Sequence, residues 1–338
     1  MINFAIVGCG HIAKKHAEAI TKTEGANFLA VCDLDPSKME EFIDQYNVEG
    51  YTKLEELLKN DEVDVISICT PSGFHANIAV EAANAKKHIV VEKPIAMTLE
   101  DTDAIINACA ENNVKLSVVH PNRFRPVMME LKRVMGEQKL GKLSHANATV
   151  RWNRNQEYYQ QAAWRGTKEF DGGVLMNQAI HNLDLILWLM GDVEEVYSME
   201  ATRLRDIESE DVSTGVIRFK NGALGIVEAA ATIYPTNLEE TISLFGETGT
   251  IKVGGKTASL VEHWNVQDMS DEATNDIIET VKNDPIGKPG HQCIIEDMVE
   301  AIKEDREPIV TGLDGRKALE LVLAFYESAS SNKPVKIN

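Results

Sequence analysis

Phe4-Ala5-Ile6-Val7-Gly8-Cys9-Gly10-His11-Ile12-Ala13 joins a β-branched apolar run to a glycine turn and then to an amphipathic stretch reaching Ile20. The glycines fit G-x-G-x-x-G/A. Gly8 permits a tight turn, Gly10 lets the backbone approach a pyrophosphate, and the small Ala13 lets helix and strand pack closely. The helix start adds amides and a positive dipole end. Alone the pattern is weak, because a glycine turn can serve packing only. Here it follows a strand and opens a helix, and Asp33 stands twenty residues after Ala13 at the end of the next strand candidate. A carboxylate there can hydrogen-bond ribose hydroxyls. It also favours NAD over NADP: Asp33 repels a 2′-phosphate, and Leu34 and Asp35 offer no cation to receive one. Gly8, Gly10, His11, Ile12, Ala13 and Asp33 are therefore candidate NAD-binding residues, with Cys9 as inert filler.

Working outward, the first 120 residues alternate strand candidates (Phe4–Val7, Phe28–Cys32, Val63–Cys69, His88–Val91, Lys115–Val119) with helix candidates (His11–Ile20, Pro36–Tyr46, Lys53–Lys59, Phe74–Ala85, Leu99–Asn112). Thr52 with Glu55 and Thr98 with Asp101 have capping-box spacing. Alternation of this kind predicts an α/β Rossmann domain, a parallel sheet with helices on both faces. Beyond residue 140 the period changes. Ala146, Ala148, Val150 and Trp152 alternate with His145, Asn147, Thr149 and Arg151, a half-buried strand. Further strands are expected at Glu195–Thr202, Val212–Phe219, Gly222–Glu228, Thr241–Phe245 and Thr250–Val253, with Asn221-Gly222 as a hairpin turn. Helices are expected at Ala179–Met190, Gln292–Glu304 and Leu313–Ser331, and an irregular excursion over Glu262–Gly290. The expected division is a Rossmann domain over 1–121 and an α+β domain with a largely antiparallel open sheet over 122–338.

A length of 338 residues, 43% hydrophobic and 26% charged, suits a two-domain globular protein. No apolar run approaches the roughly 18 residues of a membrane span. The N-terminal residues lack the features of a secretory signal. Five widely spaced cysteines without a C-x-x-C pair argue against a disulfide framework and a metal site, and fit a reducing cytoplasm. A net charge of −19 excludes general affinity for nucleic acid or anionic membrane. Yet Asn122–Lys168 carries ten basic residues against three acidic ones.

Thr70-Pro71-Ser72-Gly73-Phe74-His75 follows the strand candidate Val63–Cys69, and Glu92-Lys93-Pro94 follows His88–Val91, where doubly wound sheets place their ligands. A lysine there can stabilise a developing alkoxide; its alternative is a surface lysine. Asn177 and His181 are four residues apart and share a helix face. A histidine suits general-base work on a hydroxyl, although on spacing alone His181 reads equally as a satisfied core residue.

The combination G-C-G-H-I-A, C-T-P-x-x-x-H, V-E-K-P and the later histidine resembles the glucose–fructose oxidoreductase / inositol dehydrogenase (Gfo/Idh/MocA) family over essentially the whole chain. The resemblance implies that Lys93 and His181 carry the chemistry and that Thr70, Pro71, His75, Glu92 and Lys93 border the cofactor. Many members have aspartate where Asn177 stands; asparagine cannot accept a proton, so Asn177 reads as an orienting hydrogen-bonder. The strings Arg151-Trp152-Asn153-Arg154-Asn155-Gln156-x-Tyr158-Tyr159, Trp164-Arg165-Gly166-Thr167 and Gly172-Gly173-x-Leu175-Met176-Asn177-Gln178-x-x-His181-Asn182 are similar to one subgroup, dehydrogenases acting at C3 of UDP-2-acetamido-2-deoxy-glucuronate in surface-polysaccharide biosynthesis. That likeness implies that Trp164 and Arg165 reach the cofactor.

A UDP-sugar acid would give the basic segment a purpose, since arginine suits diphosphate and carboxylate. Arg123, Arg151 and Arg154, with Asn155, Tyr158, Asn177 and His181, are the candidate substrate residues; alternatively these cations face acidic surface elsewhere, including a subunit contact. The competing readings are a dehydrogenase of free inositol or sugar and a non-catalytic dinucleotide or sugar-nucleotide sensor. The resemblance further implies a homo-oligomer, dimer or tetramer.

Overall fold

The structure, a computed structural model, describes residues 1–337. Its first sheet is wholly parallel. β1 (Ile2–Val7), α1 (Ala13–Lys22), β2 (Ala26–Cys32), α2 (Glu40–Tyr46), β3 (Glu49–Tyr51), α3 (Leu54–Leu58), β4 (Val65–Ile68), α4 (His75–Asn84), β5 (His88–Val91), α5 (Leu99–Asn112) and β6 (Leu116–Val118) follow in order. The strands lie in the order β3-β2-β1-β4-β5-β6. Phe4–Val7, Val65–Ile68 and Ile89–Val91 are buried throughout, as strands covered on both faces must be. Strand order reverses between β1 and β4, so the ligand crevice of a doubly wound sheet lies beyond the ends of these two strands.

Local differences from the sequence reading have local causes. The stretch from Pro36 is a 3₁₀ turn at Pro36–Lys38, begun by Asp35 accepting from the Ser37 amide at 3.0 Å, and only then α2. The Thr52 capping box does not form, because the N-cap position falls one residue later, at Lys53, which has no side-chain cap. Thr98 does cap α5, accepting from the Asp101 amide at 3.1 Å. The three-residue strand β3 escapes the sequence because it is short and largely exposed at the sheet edge.

The second sheet is mixed. It is built with α6 (Pro126–Gly136), β7 (Leu143–Arg151), α7 (Gln156–Gln160), a π-helical turn (Leu175–Ala179) running into α8 (Ile180–Met190), β8 (Val193–Ala201), β9 (Val212–Phe219), β10 (Leu224–Ala230), β11 (Glu239–Gly246), β12 (Gly249–Gly254), β13 (Leu260–Val266) and α9 (Asp271–Asn283). Then come α10 (Gly290–Glu304), α11 (Gly312–Ser331) and β14 (Val335–Lys336). The order is β13-β12-β11-β7-β10-β9-β8-β14, antiparallel throughout except between β7 and β10. Asn221-Gly222 turns β9 into β10, with Gly222 at φ +86°. On β7 the side chains of Ala146, Ala148 and Val150 are buried; the strand stops at Arg151, so Trp152 lies beyond it. The same buried face receives α8 and, through Phe325 against Gly215, α11.

The irregular excursion expected over Glu262–Gly290 is instead most of β13 followed by α9. The apolar residues of α9, Ala273, Ile277, Ile278 and Val281, recur at helical spacing but are few among polar neighbours. β13 is an edge strand that buries only Trp264 and Val266, and α9 fully buries only Val281. Ser270 caps α9 by accepting from the Ala273 amide at 3.2 Å.

The chain forms two compact units, residues 1–121 with 288–316, and residues 122–287 with the segment from 317 onward. Segment 288–316, grouped by the sequence reading with the second domain, lies in the first unit. There α10 packs its Ile294, Ile295, Met298 and Val299 face toward α1 and β2, where the alanines of α1 allow close approach.

Candidate active site

In the first unit the glycine loop is shaped as a dinucleotide cradle. Gly8 adopts φ +93°, and a Cβ on it would lie 2.8 Å from the Thr70 amide nitrogen. Any side chain is excluded there on both counts. A Cβ on Gly10 would meet nothing within 4 Å, leaving its backbone open to approach. Ile12 precedes α1 without a side-chain cap; the Lys15 amide bonds to the Ile12 carbonyl at 3.0 Å, which leaves the Ala13 and Lys14 amides at the helix start to face an anion. Asp33 accepts from the Cys9 amide at 2.8 Å and from the Asp35 amide at 2.9 Å; each oxygen keeps a lone pair for a hydroxyl. The Thr70 hydroxyl oxygen is buried without a hydrogen-bond partner among the described residues. These features fit a dinucleotide. Burial, reinforced by Asp33, pushes the Cys9 thiol up to about 12, which keeps it protonated and unreactive.

The loop after β5 is anchored by histidines. His75 is buried and contacts the carbonyl oxygens of Pro94 at 2.8 Å and Thr70 at 2.9 Å. Burial lowers its pKa, and the neutral ring can donate to one of the two. His75 thus joins the loop after β4 to the loop after β5. Glu92, placed at the cofactor by resemblance, is itself buried against His16 and His291. Neither histidine was singled out in the sequence, where His16 falls on a helix and His291 lies 199 residues from its partner.

In the second unit Asn177 lies in the π-turn and His181 in the first turn of α8. The extra backbone turn is a feature often found at functional sites. The Asn177 side-chain amide donates to Asp171, whose other oxygen accepts from the Gly166 amide at 2.7 Å. Asp171 thus supplies a carboxylate beside Asn177; its only sequence signal is the Asp-Gly-Gly run before the helix. The turn is braced from below by Glu210, whose side chain accepts from the Leu175 amide at 2.8 Å and from the Tyr326 hydroxyl at 3.2 Å. Burial raises Glu210 to about 8.

The structure separates the basic segment into cations that face carboxylates and cations that face aromatic rings. Arg123 is buried and bidentate to buried Asp184, at 2.8 and 2.5 Å, which takes it out of a substrate's reach. Arg151 is paired with Glu228 and Glu239 on the sheet face opposite α8, the second departure from the expected substrate set. Arg125 faces Glu240, Arg133 faces Glu130 and Glu137, and Lys132 lies 4.9 Å from the centre of the Trp188 ring. Asn155 caps α7, accepting from the Tyr158 amide at 3.0 Å. Arg154 and Arg165 differ. They alternate with aromatic rings: Arg154 over Trp152 (4.8 Å) and Tyr158 (5.2 Å), Arg165 over Tyr158 (4.3 Å) and Trp164 (4.8 Å). Neither has a salt bridge among the described residues.

The parallel sheet, the glycine cradle and Asp33 just beyond β2 fit a dinucleotide-binding oxidoreductase. Residues 2–120 match the model of the oxidoreductase family with NAD-binding Rossmann fold, and residues 128–252 that of the GFO/IDH/MocA C-terminal domain. The chain belongs to this family. It is similar over its whole length to the WlbA dehydrogenase of Chromobacterium violaceum, solved with NADH and UDP-GlcNAcA (36% identity, 96% of that chain, TM-score 0.94). The WlbA dehydrogenase of Bordetella pertussis, solved with the same two ligands, is 34% identical over 98% of its chain (TM-score 0.95). A myo-inositol 2-dehydrogenase of Thermotoga maritima is 26% identical, over 99% of this chain and 98% of its own.

Proposed function

We propose that the protein oxidises a ring hydroxyl of an anionic sugar nucleotide, C3 of UDP-2-acetamido-2-deoxy-glucuronate, in surface-polysaccharide biosynthesis. The observation that carries the substrate class is Arg154, held between the rings of Trp152 and Tyr158 without a salt bridge among the described residues; Arg165 and Trp164, next along the same ladder, remain the residues offered to the cofactor. A guanidinium recognises phosphate and carboxylate oxygens bidentately, and the rings can stack on a base. The likeness to two dehydrogenases solved with UDP-GlcNAcA supports the same choice. NAD, when bound, supplies the hydride acceptor. His181 takes the hydroxyl proton, Lys93 stabilises the developing alkoxide, and Asn177, held by Asp171, orients the reacting group.

The test is NADH formation with UDP-uronic acids, UDP-hexosamines, inositols and free sugars, run with and without a 2-oxo acid that could reoxidise tightly held cofactor. Turnover of the UDP-uronic acid is expected; turnover of free polyols alone overturns the substrate. The free-polyol reading draws support from the internal pairing of Arg123 and Arg151, which shrinks the cationic surface. No turnover of any member by protein that binds NADH would instead fit a sensor.

We also place the protein in the cytoplasm, where its five free cysteines would stay reduced. Among the described residues no helix is long and apolar enough to cross a membrane. The outward face of the second sheet exposes Tyr197, Met199, Val216, Leu224 and Ile226 by 38–63%. A second copy of the chain is the expected cover, giving a homo-oligomer; Val216→Glu with Ile226→Glu is expected to lower the mass measured by light scattering, and an unchanged mass would exclude this face.

A further inference from the structure

We infer that His16 and His291 are positioning residues for Lys93, holding it through Glu92. The inference rests on the reading of Lys93 as a catalytic group. Glu92 Oε1 meets His16 Nε2 at 3.0 Å and His291 Nε2 at 3.3 Å, while Oε2 accepts from the Lys93 amide at 3.1 Å. Glu92 is 6% exposed. A carboxylate so buried is tolerated only when hydrogen bonds replace its water, and here three N–H groups can do so.

The proton positions follow from the neighbours. His16 Nδ1 lies 2.7 Å from the Ser67 hydroxyl. With Ser67 donating, Nδ1 accepts and Nε2 carries the hydrogen that faces Glu92. Burial holds the His16 ring neutral. Burial also pushes Glu92 up, but the bonds from His16 and His291 outweigh it and keep the carboxyl well below its usual range. The two rings meet edge to face, 5.2 Å between centres.

These contacts bear on one backbone. On one side of Lys93, Glu92 is gripped by His16 and His291; on the other, the Pro94 carbonyl is met by His75. The backbone carrying the ammonium is thus anchored at both flanks. His16 comes from α1 and His291 from the first turn of α10. The same three donor atoms could be approached by a divalent cation, since they lie within 4.8 Å of one another. The direct N–H to carboxylate contacts at hydrogen-bond length favour the clamp, and the two arrangements are separable.

The experiment compares His291→Leu, which removes the donor, with His291→Gln, whose amide keeps an N–H at the same reach. Deuterium exchange of the peptide spanning residues 88–96 needs no substrate. In His291→Leu the Lys93 amide should exchange about tenfold faster, with the remaining peptides of the sheet unchanged and the protein still binding NADH; His291→Gln should restore protection. With the UDP-uronic acid and NAD, His291→Leu should lower kcat about 10- to 100-fold at nearly constant KM. In a Lys93→Met background the same change should have no further effect on residual kcat.

Unchanged exchange in His291→Leu overturns the inference, as does a kcat loss equal in both backgrounds. One zinc bound per chain and lost in His291→Gln overturns it too, in favour of a metal centre. Full activity of Lys93→Met would instead fault the reading of Lys93, leaving the exchange result to judge the clamp alone.

Discussion

Arg123 and Arg154 lie thirty-one residues apart in one basic segment and have opposite surroundings. Arg123 is enclosed with Asp184, two opposite charges satisfying each other away from water. Arg154 is flanked by Trp152 and Tyr158, with no salt bridge among the described residues. The first arrangement serves folding, and the second leaves a cation available for an incoming anion. A count of charges along the chain cannot separate the two. What separates them is whether the fold brings a carboxylate to the guanidinium.

The largest expected effect comes from breaking the enclosed pair. Asp184→Ala leaves a buried guanidinium uncompensated and should destabilise the protein by about 3–5 kcal/mol in urea denaturation. Replacing both partners, Arg123→Met with Asp184→Leu, should recover most of the loss. If Asp184→Ala is silent, the pair is not structural.

Glu210 sharpens the contrast from the acidic side, being a buried carboxyl that stays protonated instead of finding a cation. Its folded value near 8 exceeds the usual 4.5. Between those values the folded state holds a proton that the unfolded state has released. Stability from this group is therefore full below pH 4.5 and falls as pH rises toward 8, by up to about 1.4 kcal/mol per pH unit. Glu210→Gln should flatten that slope in denaturation curves between pH 5.5 and 8; an unaltered slope would mean the carboxyl is ionised.

Arg154→Ala should raise KM for the UDP-uronic acid about 10- to 100-fold, or about 1.4–2.7 kcal/mol, while the melting temperature stays within a few degrees. Equal KM for both proteins would remove the ladder from the substrate site. Least is expected from Arg133→Ala, whose partners Glu130 and Glu137 are exposed helix neighbours; the change should stay under about 0.5 kcal/mol.

The parallel sheet was legible because its strands are buried on both faces and leave continuous apolar runs, and because Gly8 and Asp33 hold fixed chain positions. β13 and α9 were not, since both are peripheral: β13 buries only Trp264 and Val266, and the apolar stripe of α9 is short and set among many polar residues. At the candidate site, residues in short motifs (Gly8, Lys93) could be singled out directly, and His181 only through the family resemblance. Asp171, Glu210, His16 and His291 could not, because each acts through a partner that only the folded chain supplies. The arginines show the converse: type and spacing offered Arg123 and Arg151 as substrate residues, and the carboxylates that engage them come from 61 to 88 positions away.

The return of residues 288–316 to the first unit has a consequence for biosynthesis. The Val118 amide bonds to the Val310 carbonyl, and Ser117 pairs with Thr311, so the edge of the first sheet is closed by chain made long after β6. At about 5–20 residues per second, the segment from 122 to 287 separates these partners by roughly 10 to 30 s. A ribosome-held chain halted at residue 250 should therefore expose β6 to protease, and one released at full length should not. The first unit is thus completed only after residues 122–287 of the second have been made, and a nascent chain must carry that open edge until Val310 and Thr311 arrive.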